Sequence, residues 1–484
     1  MTSRALSRRT LLQGALVAVA FNPVSRGWAT TLEPGAVALP PLQGQLLTDA
    51  EARTAAADDF GHILHRTPWA VLVPGGVEDI VAMVRFARAH GLKIAASRGR
   101  GESQSHSTYG QAQVEGGIVI DMSALSTIHE VGADSAWVDA GVRWRELLEA
   151  ALPSGRSPPT LTDYIELSIG GTLSVGGIGG QAFRWGLQVD NVLALDVVTG
   201  EGELVRCSHT QERPLFDAVR AGRGQFGIIV RARVRLVEVL PQARTYTALY
   251  SDLPRFLEDQ RMLIEEGRFD YVEGFAVPAS GGWAFQLEVV KYFAPGAEPH
   301  DAALLAGLGF QPGTLQARDS SYFDFVNRLA PLVALLQQFG VWDFPHPWMD
   351  MFVPARVTAA FVQEVLAQTT EADMGQGPII LYPFRAAPLT APFLNTPTDQ
   401  HLFLFSLLRT AIPPTPEKVA ELLQKNRVIY ERLTEVGGKL YPVDAVPMSP
   451  ADWRGQLQPF WERFAAAKRR YDPDNILTPG QGIF

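Results

Sequence analysis

The chain has 484 residues, of which 46% are hydrophobic and 19% charged, so it is globular and long enough for two or three domains. Its formal net charge is −9 and no basic patch is visible, which argues against a nucleic-acid partner. Cys207 is the single cysteine, so no intramolecular disulfide can form and we predict a buried, inert thiol. The nine histidines show no paired ligand spacing, and we expect no metal site.

The start of the sequence has the pattern of an export signal. Arg8 and Arg9 precede an apolar run at 15–21 and a small-x-small site at 27–29. We interpret residues 1–29 as a twin-arginine signal, outside the fold, and expect a periplasmic or secreted protein. The alternative is a basic start before an ordinary core helix. No later run is long enough to span a membrane.

Alternating and helical apolar spacing then predicts a series of short elements. Residues 30–60 show no such pattern and are predicted to form an irregular lead-in. The predicted elements are strand 70–74, helix 76–90, strands 92–96, 118–120 and 136–140, helix 144–150, and strands 191–198, 203–207 and 228–236. Residues 242–440 mix strands such as 284–290 with helices such as 360–366, and we predict a second domain there.

Two glycine-rich stretches point to a ligand site. Residues 98–121 contain five glycines around His106, and successive backbone N–H groups in such a loop can hold a pyrophosphate. The alternative is a plain turn between two strands. The second stretch, 168–180, is predicted to be non-helical because each glycine inside a helix costs about 1 kcal/mol. We expect it to bring the backbone close to a large flat ligand.

Eight short motifs occur in one order along the sequence. They are HSTYGQ (106–111), LTDY (161–164), GGTLS (170–174), GEGE (200–203), GQFG (224–227), YVEGF (271–275), PHPW (345–348) and PGQGIF (479–484). Together they resemble the flavin-binding family typified by vanillyl-alcohol oxidase and p-cresol methylhydroxylase, and within it the cytokinin dehydrogenases. The resemblance covers nearly everything from residue 65 onward.

The resemblance implies an α+β fold with a two-part FAD-binding domain of the p-cresol methylhydroxylase (PCMH) type and an α+β cap. The FAD domain would comprise 65–241, the cap 242–440, and 441–484 would return to the FAD domain. His106 would be bonded covalently to the flavin, although Glu102–Ser105 intervene where the family usually has no residue between the glycine and the histidine. The alternative for His106 is a histidine on a surface loop. The residues implied to contact FAD are Gly99, Arg100, Gly101, His106, Ser107, Gln111, Asp163, Ser168, Ser174, Ile178, Ile229, Tyr441, Thr478 and Gln481.

The same resemblance implies the chemistry. Cytokinin dehydrogenases oxidise the carbon next to the amine of N6-substituted adenines, and the aspartate of the LTDY motif, here Asp163, is the base. A positioned base contributes on the order of 10²–10⁴-fold. Glu273 would hold the purine ring, with a structural ion pair as the alternative. Trp348 and Tyr382 would enclose the substrate, unless they are core aromatics. Pro442 replaces a leucine common in the family.

Three functions remain open on these grounds. The first is a cytokinin-type dehydrogenase that passes electrons to a quinone or to oxygen. The second is a flavin oxidase of the same family acting on another alcohol, polyol or amine. The third is a ligand-binding protein that has kept the fold without catalysis.

Overall fold

A computed structural model describes residues 17–98 and 106–484. The strands are β1 (Ala20–Asn22), β2 (Gly27–Ala29), β3 (Val37–Ala38), β4 (Gln45–Leu47), β5 (Ala70–Val73), β6 (Ile94–Ser97), β7 (Ile118–Asp121), β8 (Ile128–Val131), β9 (Ser135–Asp139), β10 (Arg156–Ser157), β11 (Val192–Val198), β12 (Leu204–Ser208), β13 (Ile228–Arg235), β14 (Val237–Glu238), β15 (Gln242–Tyr250), β16 (Tyr271–Ala279), β17 (Gly282–Phe293), β18 (Gln316–Ser321), β19 (Met349–Pro354), β20 (Ile379–Arg385), β21 (His401–Leu407) and β22 (Lys439–Leu440). The helices are α1 (Ala50–Ala56), α2 (Val77–Ala89), α3 (Trp144–Ala151), α4 (Ile169–Val175), α5 (Ala182–Trp185), α6 (Arg213–Val219), α7 (Leu253–Glu266), α8 (Asp301–Leu304), α9 (Tyr322–Val326), α10 (Ala330–Gln338), α11 (Ala355–Ala367), α12 (Glu371–Met374), α13 (Pro416–Glu435), α14 (Pro450–Gln456) and α15 (Trp461–Tyr471).

A four-stranded sheet of order β4-β5-β7-β6 opens the body of the protein. β5, β7 and β6 run parallel, and most of their apolar residues are buried, as is typical of parallel strands covered on both faces. The apolar face of α2 joins the same core through residues such as Ile80 and Val84. The predicted strand, helix and strand at 70–96 are therefore present.

A five-stranded antiparallel sheet of order β12-β11-β13-β9-β8 follows. It contains the strands predicted at 136–140, 191–198, 203–207 and 228–236, each within two residues of the expected bounds. Arg231, Arg233 and Arg235 alternate with buried residues along β13 as expected for a half-buried strand.

The second glycine-rich stretch was predicted wrongly, because residues 169–175 form the helix α4. Gly170 lies against the end of β9, where its N–H donates to the carbonyl of Ala140 at 2.8 Å. A Cβ on Gly170 would stand 2.7 Å from that of Ala140. Ile169 and Leu173 of the same helix are fully buried. Close packing of this helix on the sheet outweighs the low helix propensity of its glycines.

An eight-stranded antiparallel sheet of order β18-β15-β17-β16-β20-β21-β19-β22 takes all its strands from residues 242–440. α7 and α11 pack against it through buried residues such as Phe256 and Phe361. The last residues then return to the parallel sheet, since the N–H of Thr478 donates to the carbonyl of Ile94 at 2.8 Å. The division of the protein into domains at 241 and 440 stays a prediction.

Residues 17–29 differ from the expectation that this segment lies outside the fold. β1, β2 and β3 form a small antiparallel sheet, and Val17 pairs with Leu47. Phe21 is buried against Trp28, with ring centroids 4.8 Å apart, and against Phe86 of α2. The twin arginine lies outside the described residues, and the export signal stays a prediction.

The lead-in at 30–60 is also more ordered than predicted. It contains β3, β4 and the helix α1, whose N-terminal N–H groups are capped by the side chain of Asp49. Seven residues are too few for an apolar period to stand out. Across the described ranges, no helix has both the length and the apolar character needed to cross a membrane. Those ranges likewise hold no group of three or more acidic, histidine or cysteine side chains suited to a metal ion.

Candidate functional site

A cavity of about 660 Å³ lies where α4 and the glycine-rich turns face the eight-stranded sheet and α10. Most of the residues predicted for the site line this one cavity, although they come from stretches more than 300 residues apart. They are His106, Ser107, Gln111, Asp163, Ser168, Ser174, Ile178, Ile229, Trp348, Tyr382, Tyr441, Thr478 and Gln481. Gly99, Arg100 and Gly101 lie outside the described residues, and Glu273 is absent from the lining.

One part of the wall is a group of stacked rings, which we call the histidine cluster. Phe60 lies between His106 and His346, with ring centroids 4.0 Å and 4.1 Å away and nearly parallel planes. Tyr164 stacks on the other side of His106 at 5.1 Å. Trp348 meets His106 edge-on at 5.1 Å. His106 is therefore packed in a cavity wall and is not a surface-loop histidine.

Burial keeps the imidazole of His106 uncharged. Removal from water lowers its pKa to about 3, and the nearby His346 adds to the effect. The same burial lowers the pKa of His346 to about 3. At neutral pH both rings are uncharged, and a neutral imidazole has one nitrogen with a free lone pair that can form a bond.

Asp59 fixes the loop that carries His106. Its carboxylate accepts hydrogen bonds from Ser107 Oγ at 2.9 Å, from the N–H of Gly110 at 2.8 Å and from the N–H of Gly61 at 3.1 Å. Burial raises the pKa of Asp59 to about 7, against the effect of these donors. No motif marks Asp59, because it lies 47 residues before His106 in the stretch predicted to be an irregular lead-in.

The C-terminal segment completes the opposite wall. Gln111 donates through Nε2 to the carbonyl of Asp444 at 2.9 Å. Tyr441 accepts the N–H of Gly177 at 2.7 Å through its hydroxyl. Thr478 donates through Oγ to the carbonyl of Gly224 at 2.9 Å. These contacts join the two glycine-rich regions to the C-terminal segment around one space.

The second polar part of the site is the acidic cluster, formed by Asp163, Tyr271, Glu273, Glu288 and Arg328. Asp163 Oδ1 accepts from Tyr271 Oη at 2.6 Å and from Arg328 Nη2 at 2.8 Å. Arg328 Nη2 also lies 2.5 Å from Tyr271 Oη and 3.2 Å from Glu273 Oε2. Arg328 Nε lies 3.3 Å from Glu288 Oε1. One guanidinium thus faces three carboxyl groups.

Glu273 is the most deeply buried carboxyl group of the acidic cluster. It is 0% exposed and forms an ion pair with Arg328, which is the alternative that the sequence leaves open. Burial, followed by the charge of Asp163, raises its pKa well above the ordinary value. Its Oε1 has no hydrogen-bond partner within the described part of the protein. Its contact with a substrate stays a prediction.

Glu288, which sequence reasoning missed, does line the cavity. It is the cross-strand partner of Glu273 in the β16–β17 pair, so the two side chains are on the same face of the sheet. Burial raises its pKa. Only the strand register brings these two glutamates together, and a single sequence does not reveal that register.

The cavity fits FAD in shape and charge. Gly170, Gly171, Gly177, Gly224 and Gly227 leave backbone exposed along its wall, as a large flat ligand requires. Arg98 and Arg223 bring two cations to the same wall. Arg223 is buried, and its Nε and Nη2 have no hydrogen-bond partner among the described residues. A buried cation is costly without a counter-charge, and an anionic cofactor supplies one.

The aromatic residues predicted to contact the substrate are both in the lining. Trp348 is half-buried beside His106, and Tyr382 is fully buried in β20. Pro442 also lines the cavity. Phe60, Arg223 and Arg328 are site residues that no motif indicated, because each acts through a contact with a distant segment.

Comparison with known proteins agrees with this geometry. A VAO-type flavoprotein from Myceliophthora thermophila C1 superposes with a TM-score of 0.69 at 17% identity, covering 89% of this protein and 85% of that one. A family model described as an FAD-binding domain matches residues 68–208. The class of the protein is therefore an FAD-dependent oxidoreductase with an α+β fold of the vanillyl-alcohol oxidase type, as the sequence predicts.

The family is shown by a model that matches the second half of the chain and by relatives that match nearly its whole length. A model described as "Cytokinin dehydrogenase 1, FAD and cytokinin binding" matches residues 278–484. Cytokinin dehydrogenase 10 of Oryza sativa subsp. japonica is 36% identical over 496 residues, covering 92% of this protein and 89% of the relative. An uncharacterized oxidoreductase from the fasciation locus of Rhodococcoides fascians is 42% identical, covering 90% and 97%. The chain belongs to the cytokinin dehydrogenase family.

Proposed function

We propose that the protein oxidises the C–N bond in the substituent of N6-substituted adenines and releases adenine and an aldehyde. The observation that carries this proposal is Asp163, a cavity-lining carboxylate with one oxygen held by Arg328 and Tyr271. The LTDY motif that contains it and the relatives of the protein support the same reaction.

Asp163 performs the proton transfer in this reaction. FAD, when bound, would supply the acceptor for a hydride from the substrate carbon next to the amine. Asp163 takes the amine proton, so the substrate loses two electrons and two hydrogens and becomes an imine. Water then adds to the imine carbon, the C–N bond breaks, and adenine and an aldehyde leave. A base within hydrogen-bond reach of the N–H contributes about 10²–10⁴-fold.

The aromatic residues of the cavity suit a planar substrate. Trp348 and Tyr382 present rings to the space next to Asp163 and the histidine cluster. Ring stacking on such residues stabilises a flat heterocycle and excludes water from the reacting bond. A purine with an alkenyl substituent suits this wall, because its ring is flat and its substituent is apolar.

Product analysis tests the substrate. The purified protein is incubated with N6-isopentenyladenine and a quinone acceptor, and adenine and the matching aldehyde are measured by liquid chromatography and mass spectrometry. Stoichiometric release of both supports the proposal. Turnover of sugars, polyols or aromatic alcohols with no release of adenine would support an oxidase of the same family with another substrate.

We also propose that His106 carries the flavin covalently, with a quinone or oxygen as the electron acceptor. The position of His106 in the cavity and its uncharged ring support the link. Flavin that stays with acid-precipitated protein would support it, and flavin released into the supernatant would contradict it. The rates at which a quinone and oxygen restore the oxidised spectrum identify the acceptor.

Export by the twin-arginine route remains a further proposal, supported by Arg8, Arg9 and the apolar run after them. The route carries folded proteins, which suits an enzyme loaded with its cofactor. Sequencing the N-terminus of the protein from the periplasm or medium tests it. Cleavage after Ala29 would remove Phe21 and Trp28 from their contacts with α2.

A further inference from the structure

We infer that Arg328 and Tyr271 are positioning residues that hold Asp163 in the orientation the reaction needs. This inference rests on the proposed function, in which Asp163 is the base. It concerns Arg328, a residue that the sequence motifs do not mark, and it is drawn from the contacts of the acidic cluster.

Both donors reach the same oxygen of Asp163. Tyr271 Oη and Arg328 Nη2 donate to Oδ1 at 2.6 Å and 2.8 Å, while Oδ2 accepts no hydrogen bond from the described residues. A carboxylate held in this way has one oxygen fixed and its other oxygen available to a ligand. Asp163 lines the cavity, so Oδ2 is the oxygen that remains for the substrate N–H.

Arg328 is itself held from two sides. Its guanidinium lies 4.8 Å from the ring centroid of Phe325 and 5.0 Å from that of Tyr271. It follows the short helix α9 and donates weakly to the carbonyl of Phe325 at 3.5 Å. Cation–π contacts with two rings fix its plane. The planar fork of the guanidinium then holds several acceptors in fixed directions, which the compact, rotating ammonium group of a lysine does not do.

Arg328 also decides the charge of the cluster. The groups that face it are Asp163, Glu273, Glu288 and the phenol of Tyr271, while Tyr292 and Tyr382 lie at its edge. Without the guanidinium of Arg328, the three carboxyl groups would lie close together and the cluster would contain no cation. Like charges in such a space disfavour ionisation, so the cluster as a whole would take up protons. Burial keeps the pKa of Tyr271 well above its ordinary value, so the phenol stays protonated and donates.

The test is the pH profile of flavin reduction in single-turnover experiments without oxygen. Arg328→Met, Arg328→Lys and Tyr271→Phe are compared with the wild-type holoenzyme, using N6-isopentenyladenine as the reductant. Arg206→Met is the control, because Arg206 makes an ion pair with Asp196 of β11 through two hydrogen bonds, outside the cavity and nearer to solvent. Flavin absorbance and the midpoint of thermal unfolding show whether each variant is folded and loaded.

We expect Arg328→Met to slow flavin reduction about 100-fold at neutral pH, within the range that a misplaced base can cost. The acidic limb of its profile should move to higher pH, because the cation that opposes protonation of the acidic cluster is gone. Arg328→Lys should recover part of the rate and part of the pH shift. Tyr271→Phe should slow reduction less, and Arg206→Met should match the wild type.

The outcomes distinguish failure of the positioning role from failure of the proposed function. A wild-type enzyme that N6-isopentenyladenine does not reduce would contradict the proposed function. A wild-type enzyme that is reduced, with Arg328→Met and Arg328→Lys profiles that overlay it, would overturn the positioning role. A loaded Arg328→Lys variant with a slow rate but an unmoved acidic limb would also overturn it, because it would show a purely structural effect.

Discussion

The histidine cluster and the acidic cluster lie beside one cavity, and burial shifts the pKa values of their titratable groups in opposite directions. Removal from water favours the neutral form of every titratable group, which lowers the pKa of a histidine and raises that of a carboxyl group. For His106 this leaves an uncharged ring nitrogen, which a covalent link requires. In the acidic cluster the guanidinium of Arg328 opposes this shift in the pKa of Glu273 and Glu288, and it also forms an ion pair with Asp163.

This difference explains why the two clusters are built from different residues. The histidine cluster consists of stacked aromatic rings and contains no ion pair among the contacts of Phe60, His106 and Tyr164 that the structure describes. The acidic cluster contains a guanidinium and three carboxyl groups within 3.3 Å. One part of the wall therefore favours a neutral imidazole, and the other pairs its carboxyl groups with a cation.

The largest expected effect is that of replacing Asp163 in the acidic cluster. Asp163→Asn keeps the shape of the residue but removes the carboxylate that we propose accepts the proton. We expect flavin reduction by N6-isopentenyladenine to slow by about 10²–10⁴-fold, with the flavin content unchanged. Stopped-flow absorbance without oxygen measures it. Asp196→Asn serves as the control, and an Asp163→Asn rate close to that of the wild type would exclude Asp163 as the base.

In the histidine cluster, His106→Ala should abolish the proposed covalent attachment of flavin and leave the rest of the cavity wall unchanged. Flavin should then leave the protein on acid precipitation, whereas it should remain with the wild type. Absorbance of pellet and supernatant measures the distribution. His209→Ala provides the control, because His209 packs on Phe216 away from the cavity. Flavin still bound to precipitated His106→Ala would show that another residue makes the link.

Asp59 combines features of both clusters, because it is a buried carboxyl group with hydrogen-bond donors but no ion pair among the described residues. Its pKa is raised from 3.8 to about 7, so the folded state binds its proton more tightly than the unfolded state. The resulting stabilisation is complete below about pH 4 and is lost as the pH rises toward 7, by about 1.4 kcal/mol for each unit of raised pKa.

Asp59→Asn should remove this part of the pH dependence. Urea unfolding followed by fluorescence between pH 4 and 7 gives the free energy of unfolding for both proteins. The difference between wild type and variant should shrink as the pH rises, because only the wild type loses the contribution of protonated Asp59. A difference that stays constant with pH would mean that Asp59 ionises in the folded state as it does in the unfolded state.

The smallest expected effect is that of replacing Gly170 of α4, which lines the cavity. In Gly170→Ala the new Cβ would stand 2.7 Å from the Cβ of Ala140, so α4 must shift. We expect a loss of about 1–3 kcal/mol of stability, measured as a lower midpoint of thermal unfolding. Gly455→Ala in α14 is the matched control, because nothing lies within 4 Å of its added Cβ. Equal midpoints for Gly170→Ala and the wild type would show that α4 is not tightly packed.

Much of this architecture is predictable from the sequence. Strands such as β5, β11 and β13 and the helix α2 have clear apolar periods, and their predicted bounds lie close to those observed. The motifs that contain His106, Asp163, Trp348 and Gln481 indicate residues that meet in one cavity. A short motif is recognised from consecutive residues alone, so its residues can be named before the fold is known.

What the sequence does not reveal depends on contacts between distant segments. Arg328 reaches Asp163 across 165 positions, and Glu288 meets Glu273 through strand register. Local propensity also fails at α4, where packing against Ala140 outweighs the cost of Gly170 and a neighbouring glycine. These features follow from tertiary packing, to which a single sequence gives no direct access.

The central claim is that this cavity, with FAD bound, removes two electrons from an N6-substituted adenine. The most direct measurement is the visible spectrum of the purified protein without oxygen, before and after addition of N6-isopentenyladenine. We predict that the flavin absorbance band is lost on addition of the adenine and returns when an acceptor is admitted. A flavin spectrum that N6-isopentenyladenine leaves unchanged would contradict the claim.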